Sequence, residues 1–205
     1  MHKPTPLFLL LLACILSAPR AARAEVAKPA NLLTDASFEQ VREVVVACEP
    51  YIYNAIVKEG INLGNDGAPV VVLPAALSQF SGCKKLQVVE GDAGKEVHSG
   101  KRAILVNGSI YLNARSDATT GDAFKARVYV KGKGKFRVIL HLTNAGNQYF
   151  GQSVPNQMPV DASDWTLVEQ TLTTDDKPNL KTVWARIETV GDLYLDDFEL
   201  VKEQK

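Results

Sequence analysis

The chain has 205 residues, with 23 basic and 23 acidic side chains, and 46% of it is apolar. That balance provides no basic excess for nucleic acid or for an anionic membrane surface.

At the start, His2 and Lys3 precede an apolar run over residues 7–16, and Ala22-Arg23-Ala24 then supplies a small-residue cleavage signature before Glu25. This pattern predicts a secretory signal peptide over residues 1–24 and a secreted, periplasmic or cell-surface location. The run is too short to span a bilayer. A competing reading makes Leu11-Leu12-Ala13-Cys14 a lipobox with Cys14 lipidated. Without residues 1–24 the chain, 25–205, keeps 20 basic and 23 acidic side chains, a net charge of −3. It is long enough for one well-cored domain, and no Pro/Ser-rich linker divides it.

Residues 31–39, NLLTDASFE, form a short apolar stretch broken by carboxylates. The following segment is the hardest to read: residues 44–48 and 51–59 fit strands or a short helix in a long insertion. Cys48 and Cys83 remain after export. In an oxidising compartment a disulfide between them contributes about 3–4 kcal/mol in the chain-entropy model; the alternative is two unrelated buried thiols. Without a clustered His or Asp partner they do not suggest zinc.

From there strand follows strand. Alternating or β-branched runs bounded by Gly, Asn and Asp predict strands over 69–73, 85–89, 103–106, 110–113, 124–131, 135–143, 166–173, 182–189 and 193–201. Gly132-Lys133-Gly134 reads as a hairpin turn between two of them. It lacks the further glycines and the helix that a phosphate loop needs. The expected fold is all-β, an antiparallel β-sandwich or barrel in one domain.

The final strand, YLDDFEL over 194–200, places Asp196 by alternation on the face of Tyr194, Phe198 and Leu200, toward the core. A core-facing carboxylate needs a partner, and a hard cation such as calcium offsets its desolvation. If the first and last strands meet, Glu39 and Asp196 are placed to share one ion. Strand ends that cap themselves through backbone N–H groups are the alternative.

NLLTDASFE, Val97-His98-Ser99-Gly100-Lys101-Arg102-Ala103, Asp164-Trp165-Thr166 with Thr171-Leu172-Thr173, and YLDDFEL together resemble the cenC-type carbohydrate-binding modules. The match runs in order from about residue 31 to 201, with 40–82 as a poorly matching insertion. No tryptophan precedes Trp165, where the family usually has a tryptophan-bearing strand. The resemblance implies a galactose-binding-like jelly roll that binds a polysaccharide or oligosaccharide. It also implies a structural calcium on Glu39 and Asp196, joined by carbonyls of the 99–101 loop.

Alternation sends Phe124, Ala126, Val128 and Val130 to the core, and likewise Phe136, Val138, Leu140 and Leu142. The opposite faces carry Arg127 and Tyr129, Arg137 and His141, and, in a later strand, Trp184, Arg186 and Glu188. A sugar offers an apolar C–H face and a rim of hydroxyls, which suit flat aromatic rings and planar polar groups respectively. Arg127, Tyr129, His141, Trp184 and Arg186 are therefore the expected ligand contacts, with Tyr149 as a loop candidate and Trp165 assigned to packing. The bland alternative is a wet or covered sheet face. No nucleophile motif or metalloprotease motif appears, so the expectation is a non-catalytic module. A protein- or envelope-binding jelly roll is the alternative function, and a lyase or glycosidase the more distant one.

Overall fold

The computed structural model describes residues 30–33, 35–45, 70–174 and 179–203. Cys14, Cys48, the cleavage signature and the expected elements over 51–59 lie outside the described residues. Nine strands make up the described chain: β1 (Val41–Val45), β2 (Val70–Pro74), β3 (Leu77–Glu90), β4 (Arg102–Asp117), β5 (Ala123–Thr143), β6 (Tyr149–Ser153), β7 (Met158–Thr173), β8 (Thr182–Val190) and β9 (Leu193–Lys202). Every strand pair is antiparallel, and the fold is the all-β sandwich expected.

β1 and β2 pair with each other, while the other seven strands form one continuous sheet. Long strands fold that sheet into two facing layers. In layer one the first half of β5 lies between β9 and the second half of β7, and β9 joins the start of β4, which pairs with the end of β3. In layer two the second half of β5 lies between β6 and β8, and β8 joins the second half of β4, which pairs with the start of β3. β3, β4, β5 and β7 thus pass from one layer into the other.

Those crossings correct the sequence reading in one place that matters for the site. Gly132-Lys133-Gly134 is not a hairpin turn: β5 continues through it as one strand of 21 residues. Gly132 has φ +123°, and a Cβ there would stand 2.7 Å from the carbonyl oxygen of Asp192 in the β8–β9 turn. The glycine bends the strand between layers where a second backbone comes too close for a side chain.

The layers close on Phe38, Phe124, Phe136, Phe198, Ile104, Ile110, Leu140 and their neighbours, all essentially without solvent contact. Burying each such ring or branched chain contributes about 1.5–3 kcal/mol. Cys83 is buried, and its Sγ donates to the carbonyl of Ser109 at 3.3 Å.

The two carboxylate-bearing motifs do meet. Asn31 Nδ2 donates to the Phe198 carbonyl at 3.1 Å, its Oδ1 accepts from Leu200 N at 2.9 Å, and Leu32 N donates to the Leu200 carbonyl at 2.8 Å. The reading of Asp196 as core-facing is corrected. Asp197 adopts φ +47° and the β5–β9 register shifts there, so the alternation changes phase within YLDDFEL. Leu193 and Leu195 face the core before the shift, and Phe198 and Leu200 after it. Asp196 instead stands opposite Tyr129 on the outer surface of layer one. It has no solvent exposure all the same.

Candidate functional site

The outer surface of layer two carries the densest collection of side chains capable of recognition. Alternation along three neighbouring segments, 109–117 of β4, 135–143 of β5 and 182–190 of β8, turns one residue in two outward, and the ladders align them in rows. Arg137 lies opposite Glu188, which lies opposite Ser109; Ile139, Arg186 and Tyr111 form the next row; Gln152 of β6, His141, Trp184 and Arg115 form the third.

Four rings converge there. Trp184 is 4.9 Å from His141 and 5.3 Å from Tyr111 between ring centroids; His141 is 5.3 Å from both Tyr111 and Tyr149. Two guanidinium groups lie over the rings, Arg115 at 5.9 Å from the Trp184 centroid and Arg186 at 5.3 Å from that of Tyr111. Each such pair contributes about 0.5–1 kcal/mol where water reaches it. Tyr149 is more than half exposed, whereas His141 retains only 7% of its surface.

Glu188 ties the polar part together. Its Oε1 accepts from Arg137 Nη2 at 2.6 Å and Gln157 Nε2 at 2.9 Å, and its Oε2 from Arg186 Nη2 at 3.2 Å. Arg186 Nη2 also donates to Ser109 Oγ at 2.7 Å. Burial, with the Arg186 charge added, pushes the His141 pKa down to about 4, so its imidazole is neutral at ordinary pH.

Four buried side-chain nitrogens have no hydrogen-bond partner among the described residues: Arg137 Nε, His141 Nε2, Trp184 Nε1 and Arg186 Nε. All four belong to this one face. A buried polar group without a partner costs about 1–3 kcal/mol, and proteins keep few of them. The four fall in adjacent rows of the ladder.

Of the expected contacts, His141, Trp184, Arg186 and Tyr149 are brought together, and Arg127 and Tyr129 are not. The crossing at Gly132 puts those two on layer one, where Arg127 Nε donates to Glu169 at 2.5 Å and Nη1 to Glu199 at 3.4 Å. Tyr129 stacks on His98, centroids 3.4 Å apart and 13° from parallel. Trp165 packs edge-on against the same imidazole and donates Nε1 to the Lys95 carbonyl at 3.1 Å, in keeping with its packing assignment. Tyr111 and Arg115 escaped the sequence reading. They share one parity in the 109–117 strand, opposite to Ile110, Leu112 and Ala114 in the core, and that alternation was the available signal.

Glu39 and Asp196 grip a single turn. Glu39 Oε1 accepts from Lys101 N at 2.9 Å and Arg102 N at 3.1 Å; Asp196 Oδ2 accepts from His98 N at 2.9 Å and Ser99 N at 3.1 Å, and its Oδ1 from Asp197 N at 2.7 Å. Gly100 sits between, at φ +59°, where a Cβ would fall 2.1 Å from Glu39 Oε1. Asp197 joins in by binding His98 Nδ1 at 2.5 Å and Ser99 Oγ at 2.8 Å. Burial raises the Asp196 pKa to about 6, against the lowering effect of the amides. Among the described residues no group of three or more His, Cys, Asp or Glu is placed to hold a metal ion. The donors present fit capture of backbone N–H groups by both carboxylates.

No protein-family model matches the chain, and no curated protein matches it. Among solved structures, the CBM22-1 xylan-binding domain of Xyn10C from Paenibacillus barcinonensis is 12% identical, with 63% of this chain and 90% of that one covered and a TM-score of 0.42. The CBM22-1 and GH10 modules of xylanase Xyn10B from Clostridium thermocellum, complexed with xylohexaose, are 20% identical over 58% of this chain and 24% of that one, with a TM-score of 0.38. The enzymatically active domain of tailspike protein 4 from bacteriophage CBA120 is 8% identical over 58% of this chain and 18% of that one, with a TM-score of 0.40. At these identities and TM-scores the ligand has to be read from the residues of the face itself.

Proposed function

We propose that this chain is a non-catalytic carbohydrate-binding module, exported after removal of residues 1–24, whose ligand lies across the outer face of layer two. The observation that carries the reading is the cluster of the Tyr111, His141, Tyr149 and Trp184 rings, with the part-exposed guanidiniums of Arg115, Arg137 and Arg186 beside it. A sugar chain supplies both halves of what such a face lacks. Its C–H surfaces stack on the rings, and its ring and hydroxyl oxygens accept from exposed guanidinium N–H groups.

The same geometry argues against hydrolysis. Glycosidases use two carboxyl groups flanking one bond. Here the central carboxylate, Glu188, is held by two arginines and a glutamine. Calcium at Glu39 and Asp196 remains the competing explanation of the 98–102 turn, and chelation tests it.

Affinity electrophoresis through gels containing different polysaccharides tests the function. The expected result is retardation by at least one glycan without its depolymerisation. A folded protein that no glycan retards would move the face to a protein or cell-envelope partner, and depolymerisation would make the chain an enzyme.

A further inference from the structure

We propose that the ligand is an acidic polysaccharide, one whose sugars carry carboxylates, and that Arg137 and Arg186 hold a carboxylate of the chain. This rests on the carbohydrate reading above and narrows it. The charge inventory of the face comes first. Over 109–117, 135–143 and 182–190 there are four cationic side chains, Arg115, Lys135, Arg137 and Arg186, and two carboxylates, Asp117 and Glu188. The flanking strand β6 has no charge.

Glu188 does not cancel the pair of arginines beside it. One carboxylate takes the Nη2 groups of both, leaving one unit of positive charge between two guanidiniums whose side chains are about one-fifth exposed. The attraction of such a charge for an anion is stronger than in open water, because the surroundings screen it less.

The unused donors also have the right chemistry. Arg137 and Arg186 each direct Nη2 to Glu188, and each keeps about one-fifth of its side chain exposed although its Nε is buried. Guanidinium N–H groups match the two oxygens of a carboxylate in a planar fork, which a single hydroxyl does not fill. His141 and Trp184 add rings in the adjoining row, next to the exposed ring of Tyr149. Arg186 lies over the Tyr111 ring, and Arg115, exposed at the rim of the cluster, lies over that of Trp184, so both charges stand beside the rings on which a sugar would stack.

The experiment uses matched polymers differing in charge alone: polygalacturonate against its methyl ester, and glucuronoxylan against the same polymer with its uronic acids reduced to alcohols. The chain is run through gels of each at low and at raised salt. The acidic member of at least one pair is expected to bind on the order of tenfold more tightly than its neutral twin, the preference shrinking with salt. Arg186→Gln and Arg137→Gln, checked for an unchanged far-ultraviolet spectrum, are expected to remove that preference; the rim variant Arg115→Gln reduces it and serves if either fails to fold. Equal binding of both members of every bound pair would overturn the inference and leave the carbohydrate reading standing. An acidic preference that all three variants keep would overturn it too. Binding of no polymer of any kind would overturn the carbohydrate reading itself, and this inference with it.

Discussion

The rings of Trp184 and His141 lie 4.9 Å apart across the β5–β8 ladder, and the Nε nitrogen of each is buried without a partner among the described residues. Tyr111 and Tyr149 extend that pair into the four-ring cluster on the outward side of β5 and β8.

Trp184→Ala is expected to abolish polysaccharide retention. Trp184 lies on the outer surface and not among the buried core residues, so the loss of stability should stay near 1 kcal/mol, as for an outward aromatic that packs on one side. Binding assays run beside thermal melts check this. Retention equal to the parent's would place the ligand elsewhere.

Arg127→Gln and Tyr129→Phe are expected to leave polysaccharide binding within about twofold of the parent, because both residues lie on layer one, occupied by Glu169, Glu199 and His98. A large loss of affinity in either variant would shift the site to layer one.

His141 gives the fold an acid-sensitive step. Its folded-state pKa, about 4, is below the ordinary 6.5, so the unfolded chain takes up the proton first as pH falls. Stability from this group is complete above pH 6.5 and is lost as pH drops toward 4. Asp196 acts in the opposite sense: its folded-state pKa near 6 exceeds the ordinary 3.8, so it favours the fold at low pH and loses that contribution as pH rises through 6. In melts between pH 7 and 4, His141→Gln should lose stability less steeply than the parent. Parallel profiles would mean that His141 is not held neutral.

Asp196→Ala removes the acceptor for the amides of His98, Ser99 and Asp197. Leaving three part-buried N–H groups without it is expected to cost about 2–4 kcal/mol. Because those amides account for the buried carboxylate, the parent should melt at the same temperature in calcium and in chelator. A rise of several degrees on adding calcium, absent in Asp196→Ala, would put an ion at the turn.

The core of this fold was legible in the sequence because period two is a strong signal wherever one face is dry. Phe124 to Val130 and Phe136 to Leu142 are buried as their alternation implied. The site was legible in halves. His141, Trp184 and Arg186 share one face, as the same alternation read outward implies, but Arg127 and Tyr129 do not join them, because Gly132-Lys133-Gly134 looks like a hairpin turn and is a bend between layers. Composition does not distinguish the two; only the approach of Asp192 to Gly132 does. Asp196 was misplaced for a related reason. A single left-handed residue, Asp197, reverses the alternation that put Asp196 on the core side, and no residue type announces that reversal as glycine would.

The most direct test uses the chain's two tryptophans. With Trp165→Phe, the fluorescence reports on Trp184 alone, and the protein is titrated with a polysaccharide that retards it on gels. A saturable change in Trp184 emission, at the concentrations that cause retardation, is the expected result. Retardation with no change in that emission would contradict the assignment of the ligand to the outer face of layer two.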